Sequence, residues 1–156
     1  MKNRSVHVID HKHSCVAVRI HEILMKAYTI EAGLIGVDDF PPLSRMIEEV
    51  ASSENTFHGM VSEGTIAGIV EIELDPLIGT VIASLAVDPD RGRSGIGEAL
   101  VRFVQSRYRG VLYVSTGSRN QPAIGLYRKL GFNLIGHEIT PEGIEIVNFE
   151  YDTVAW

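Results

Sequence analysis

One stretch constrains this chain more than any other: "TVIASLAVDPDRGRSGIGEALVRFV", from Thr80 to Val104. Its first part, Thr80–Val87, is apolar on both faces and reads as a central strand. Asp88-Pro89 closes it. A turn follows that holds Gly92, Gly95 and Gly97 with Arg91 and Arg93, and no acidic residue falls between Arg91 and Gly97. A helix then begins. Ile96, Leu100, Phe103 and Val104 share one face, while Glu98, Arg102, Gln105 and Arg109 lie elsewhere around it. "VLYVST" (Val111–Thr116) is a second buried strand. A strand, an amphipathic helix and another buried strand in succession require a crossover that lays the helix on a sheet.

The remaining pattern fills in around that unit. Ser5–Ile9 reads as a short strand. From Ser14 to about Ile30, Val16, Ile20, Leu24, Ala27 and Tyr28 recur at helical spacing, with Glu22 and Lys26 as an i,i+4 pair. "GLIGVDDFPP" (Gly33–Pro42) interrupts the helix, and Leu43–Ala51 reads as a second one. A hairpin turning at Glu63-Gly64 follows, its longer arm running Thr65–Leu74. After Val111–Thr116 come a helix over Asn120–Leu130, Gly131 as its left-handed cap, and a strand pair, Phe132–His137 with Gly143–Tyr151. Hairpins beside crossovers imply an α+β, mixed α/β arrangement: a mixed sheet covered by helices.

Composition narrows the function. A chain of 156 residues suits a single domain with a substantial core. Fourteen Lys and Arg against twenty Asp and Glu leave a formal charge of -6, which disfavours general nucleic-acid binding. No apolar run approaches the roughly 18 residues of a membrane span, and the N-terminal stretch lacks a signal-peptide core. Cys15 is the only cysteine. It permits no internal disulfide and agrees with a reducing cytoplasm.

The glycine turn is where chemistry enters. The first amides of a helix have no internal partner and carry the positive end of its dipole. Glycine lets an anion approach them closely, and Arg91 and Arg93 add charge. The amides around Arg93–Glu98 can therefore wrap a diphosphate. Two familiar phosphate motifs do not fit. Gly92 and Gly97 have P-loop spacing, but Glu98 and Ala99 stand where Lys and Ser/Thr are needed. A dinucleotide fingerprint would need Gly or Ala three residues after Gly97, where Leu100 stands, and no acidic residue ends the next strand.

The segment "SLAVDPDRGRSGIGEALVRFV" instead resembles the coenzyme A loop of the GNAT family of N-acetyltransferases, Arg/Gln-x-x-Gly-x-Gly/Ala between a strand and a helix. One departure is that Gly92 holds the leading Arg/Gln position, flanked by Arg91 and Arg93. "NQPAIGLYRKLGF" (Asn120–Phe132) is similar to a second motif of that family, at the expected distance downstream. The resemblance implies a central, mostly antiparallel mixed sheet of six to seven strands flanked by about four helices. It also implies transfer of an acetyl group from acetyl-coenzyme A to an amine, by direct attack and without a metal.

The same resemblance implies site residues. Leu85, Ala86 and Val87 offer backbone groups to the cofactor arm where two central strands splay, with the Val87 amide polarising the thioester. Arg91, Arg93, Ser94, Gly95, Ile96, Gly97 and Glu98 hold the diphosphate. Asn120 contacts the cofactor or caps its helix. Tyr127 is the general acid, since a phenol with an ordinary pKa of about 10 stays protonated at neutral pH. A base is harder to find, because Thr80–Val87 carries no carboxylate. Glu71 and Glu73, two apart on a strand, are expected to share a face and serve through water or by attracting a cation; His58 is a weaker alternative. Asp38, Asp39 and Phe40 are candidates for an acceptor cleft. His11 and His13 lack further ligands nearby, and Cys15 is not needed as a nucleophile. The acceptor is a primary amine of a small molecule or peptide, and a homodimer is compatible with the pattern. The competing class is a non-enzymatic acyl-coenzyme A sensor, which could dispense with Tyr127.

Overall fold

The structure is a computed structural model that describes residues 4–91 and 95–154. Seven strands form one sheet in the order β1-β2-β3-β4-β5-β7-β6. They are β1 (Arg4–Val8), β2 (Thr56–Ser62), β3 (Thr65–Asp75), β4 (Gly79–Val87), β5 (Val111–Gly117), β6 (Asn133–Ile139) and β7 (Glu145–Asp152). Only the central pair, β4 with β5, is parallel; every other neighbour is antiparallel. The helices are α1 (Ser14–Ile35), α2 (Ile47–Ala51), α3 (Ile96–Arg107) and α4 (Gln121–Lys129). The expected mixed, mostly antiparallel sheet with four helices is what the chain forms.

Two apolar layers hold it together. On one side Leu100, Val101 and Val104 of α3 pack with Val70, Ile72, Leu112 and Phe149 of the sheet. On the other, Ala17, Ile20, Ile23 and Leu24 of α1 meet Phe57 and Ile69. Side chains alternate along β3, so one strand feeds both layers. Gly68 sits where α3 comes closest to the sheet. A Cβ there would lie 2.7 Å from Ile96 Cγ2 and 3.1 Å from Leu100 Cδ1, so only glycine lets the first turn of α3 dock on β3.

Local readings shift in three places. α1 continues five residues past Ile30, to Ile35, and ends on Gly36 in the left-handed conformation. Gly33 lies inside the helix with nothing within 4 Å of where its Cβ would be, so no close approach requires a glycine there. The expected helix Leu43–Ala51 divides into a 3-10 turn, Pro41–Ser44, and the short α2, since Arg45 and Met46 are extended. α4 begins after Asn120, whose side-chain oxygen accepts from the Ala123 amide at 3.3 Å, leaving Asn120 as the cap.

Candidate active site

The sheet divides at its centre. β4 and β5 pair only through Thr80–Leu112, Val81–Tyr113 and Ile82–Val114. Beyond that, β4 runs on to Val87 and β5 to Gly117 without facing each other. The antiparallel side of β4 shows which groups this exposes. Val87 is opposite Gly68, and the next amide, Asp88, donates to Ala67 O at 2.8 Å. Val87–Gly68 is therefore a non-hydrogen-bonded pair, and so is Leu85–Val70. The peptide groups of Leu85 and Val87 turn away from β3, toward the side that β5 has left.

Cavities follow the division. A hollow of about 200 Å³ at the split is lined by Ala83, Leu85, Ser115, Asn120 and Tyr127, among others. It adjoins a groove that includes Leu85, Ala86, Val87, Gly97, Asn120 and Leu126 and leads to the start of α3. Gly95 caps that start with φ of 75°, a conformation that favours glycine. A Cβ at Gly97 would project between Val87 and Leu126, 3.7 Å from each. The glycine keeps the groove open where an anion would reach the first helical amides. Ile96 is buried in the core, so only its backbone is available. The Glu98 side chain is bound by Lys129 at 2.8 Å and contributes no carboxylate to the groove lining. Arg91 stands before the turn, 3.4 Å from Glu63. Gly92, Arg93 and Ser94 lie outside the described residues.

The turn is anchored from α1, which the sequence analysis did not foresee. Arg19 donates to Asp88 Oδ2 at 2.7 Å and to Ile66 O, and Lys26 donates to Asp90 Oδ2 at 2.9 Å. Burial works against the Asp88 charge, but the Arg19 hydrogen bond, the Asp90 amide and the nearby cations hold its pKa below the ordinary value.

Tyr127 is 4% exposed and lines the hollow at the split. Its ring also packs on Phe132 and Phe149, so packing and placement coincide. Burial, and secondarily the charge of Glu31, raise its pKa well above the ordinary phenol value, which keeps the proton in place. Tyr28 lines the same hollow, with its pKa pushed up to about 12, chiefly by burial. The helical spacing of α1 alone gives Tyr28 no role beyond its apolar stripe.

The pair Glu71 and Glu73 requires correction. Glu71 is 2% exposed and saturated. Arg45 donates to both its oxygens at 2.7 and 2.9 Å, Asn55 Nδ2 to Oε2 at 2.9 Å and Ser84 Oγ to Oε1 at 2.8 Å. Burial opposes its charge, yet these partners hold its pKa below the ordinary value. Glu73 is exposed and lines none of the described hollows near the split. The two carboxylates, two apart on β3, differ in burial and partners rather than acting as a pair. His58 is also remote from the hollow: its Nε2 and the Tyr108 hydroxyl lie 2.7 Å apart beside Phe103. Asp38 and Asp39 are exposed, whereas Phe40 is buried and does line the cleft. His11 is tied to Ser53 O at 2.7 Å, and Cys15 is exposed on α1.

The carboxylate that does reach the split is Glu31 of α1. It lines the hollow, the groove and a third, more apolar cavity of about 350 Å³ beside β7. Burial raises its pKa, with the Asn120 amide and the Thr116 hydroxyl opposing. Its helical neighbours gave no local signal, because Glu31 reaches the site only when α1 crosses the open end of the sheet.

A mixed sheet that divides after one short parallel segment, with a glycine-opened helix at the division, is an acyltransferase fold. The chain belongs to the acetyltransferase (GNAT) family, whose model matches residues 17–132. It is 35% identical over 112 residues to N-alpha-acetyltransferase RimI of Mycobacterium tuberculosis, covering 69% of this chain and 70% of that protein. It is 32% identical over 129 residues to YqkA of Bacillus subtilis, covering 81% of this chain but only 37% of YqkA. Among solved structures, the ribosomal-protein-S18-alanine N-acetyltransferase of Escherichia coli superposes with a TM-score of 0.74 at 20% identity, covering 99% of this chain and 96% of that one. An aminoglycoside 6'-N-acetyltransferase complexed with coenzyme A gives 0.74 at 15% identity, over 97% and 98%.

Proposed function

We propose that the chain is an N-acetyltransferase that moves an acetyl group from acetyl-coenzyme A to a primary amine. The observation that carries this reading is the division of β4 from β5, which turns the Leu85 peptide group toward a hollow lined by Tyr127 and that of Val87 toward the groove that adjoins it. Acetyl-coenzyme A supplies an activated thioester. The amides of Gly95, Ile96 and Gly97 receive its diphosphate, and Arg91 stands before them in the chain. Val87 N–H donates to the carbonyl oxygen as negative charge develops, a stabilisation strongest where water is excluded. Tyr127 gives a proton to the departing sulfur. Asn120 fixes the start of α4 and so the position of Tyr127. Glu71 holds Arg45 and Ser84 in the wall behind the hollow and moves no proton. No described helix is long and apolar enough to cross a membrane; a cytoplasmic setting suits this cofactor.

Thiol release from acetyl-coenzyme A is measured against a panel of amines. The reading requires release that depends on the amine and yields one acetylated product per thiol. Binding of coenzyme A without any amine-dependent release would assign the chain to acyl-coenzyme A sensing instead.

A further inference from the structure

Three cavities meet at Glu31: the hollow at the split, the groove toward α3 and the apolar cavity beside β7. Of the described residues lining the hollow at the split, Glu31 is the only carboxylate. Its titratable company there is Tyr28 and Tyr127, both held protonated by burial. The apolar cavity beyond has Ile35, Phe40, Pro42, Ile144 and Ile146 in its walls. It holds a second carboxylate, Glu142, and no Lys or Arg among its described lining residues. Its volume of about 350 Å³ is at the small end for ligand sites, roughly 300–1,000 Å³. Negative charge at the mouth and hydrocarbon behind it suit a cation attached to an apolar group.

We infer that Glu31 binds and deprotonates the acceptor nitrogen, and that the cavity behind it selects a primary amine bearing an uncharged hydrocarbon group close to that nitrogen. This rests on the transferase reading above. The acceptor arrives as an ammonium and gives one proton to the Glu31 carboxylate. Its freed lone pair forms the nitrogen–carbon bond to the acetyl carbon, and the carbon–sulfur bond breaks. The sulfur takes the Tyr127 proton. A second proton leaves the new amide nitrogen and restores the phenol, and Glu31 releases the first to solvent. One proton is lost per turnover, and no oxidant or reductant is needed.

The groups facing Glu31 come from every neighbouring element. They are Tyr127 on α4, Thr116 on β5, Glu142 in the β6–β7 turn and Tyr28 on α1 itself. The Arg45–Glu71 pair stands behind Tyr28, and Arg119 is engaged with Ile35 O at 3.2 Å. Burial raises the Glu31 pKa from its ordinary value, against the Asn120 amide and the Thr116 hydroxyl.

Leucinamide and serinamide are suitable probes, since both present an α-amine that titrates near pH ~8. Wild type is expected to favour leucinamide by about tenfold or more in kcat/KM. Glu31→Gln is expected to lower kcat with leucinamide about 100-fold at pH ~6.5. That deficit should shrink to within about tenfold at pH ~9, where the amine is already neutral. Acetyl-coenzyme A affinity and the melting curve should hold, and Glu31→Asp should recover part of the rate. An equal deficit at every pH, no deficit at all, or equal use of the two amides by wild type overturns the inference while leaving the transferase reading intact. Failure of wild type to release thiol with any amine overturns that reading, and this inference with it.

Discussion

Along the β4–α3 side of the cleft, the groups proposed to bind are main-chain: the turned-out peptides of Leu85 and Val87 and the first amides of α3. Along the α1–β7 side they are side chains gathered from four separate segments, Glu31, Phe40, Glu142 and Ile146 among them. A ligand held by main chain can keep its geometry through many substitutions, provided the glycines remain. A ligand held by side chains changes identity with each one. The same contrast separates two carboxylates. Glu71 is surrounded by donors, which hold its pKa below the ordinary value against burial, whereas burial raises that of Glu31 against only Asn120 and Thr116.

The contrast is broken most severely by removing what saturates Glu71. Arg45→Ala leaves a buried carboxylate without its cation and is expected to destabilise the fold by about 3–5 kcal/mol, read from urea unfolding. The pH dependence has a fixed sign. Because the folded pKa of Glu71 is depressed, its contribution is complete above the unfolded value and is lost as pH falls through the folded one. Stability of wild type should therefore drop more steeply below pH ~4.5 than that of Glu71→Gln. A matching acid limb in both would remove the pair from the stability account.

Next in size is Tyr127→Phe, expected to lower kcat about 100-fold while coenzyme A affinity is kept. Unchanged turnover would leave the phenol as packing alone. Gly68→Ala tests the main-chain side directly. Its Cβ would press on Ile96, so a loss of about 1–3 kcal/mol in unfolding free energy is expected, together with weaker coenzyme A binding as the start of α3 shifts. Smallest is Glu73→Gln, an exposed position outside the cleft, where kcat should stay within about twofold.

The two sides also differ in how far they could be read from sequence. Asn120–Phe132 is a contiguous segment whose geometry is local, so the Asn120 cap and the helix that carries Tyr127 were legible from spacing, whereas a role for Tyr127 at the cofactor came from the family resemblance alone. The sheet was legible too, because Thr80–Val87 and Val111–Thr116 carry an unambiguous apolar signal. The division of helix Leu43–Ala51 was not, since Arg45 is extended to reach Glu71, a contact 26 residues distant. Glu71 and Glu73 were misread for a related reason: strand alternation gives a face but not what covers it. The β4 strand shifts register opposite Glu71, and Arg45, Asn55 and Ser84 arrive there from separate segments. Glu31 could be found only once α1 was laid across the split.

The most direct measurement of the central claim follows backbone amide signals while coenzyme A is titrated into the labelled protein. The largest shifts are expected on Gly95, Ile96 and Gly97, with Val87 next, at saturating ligand. Shifts gathered elsewhere while those four amides stay still would contradict it.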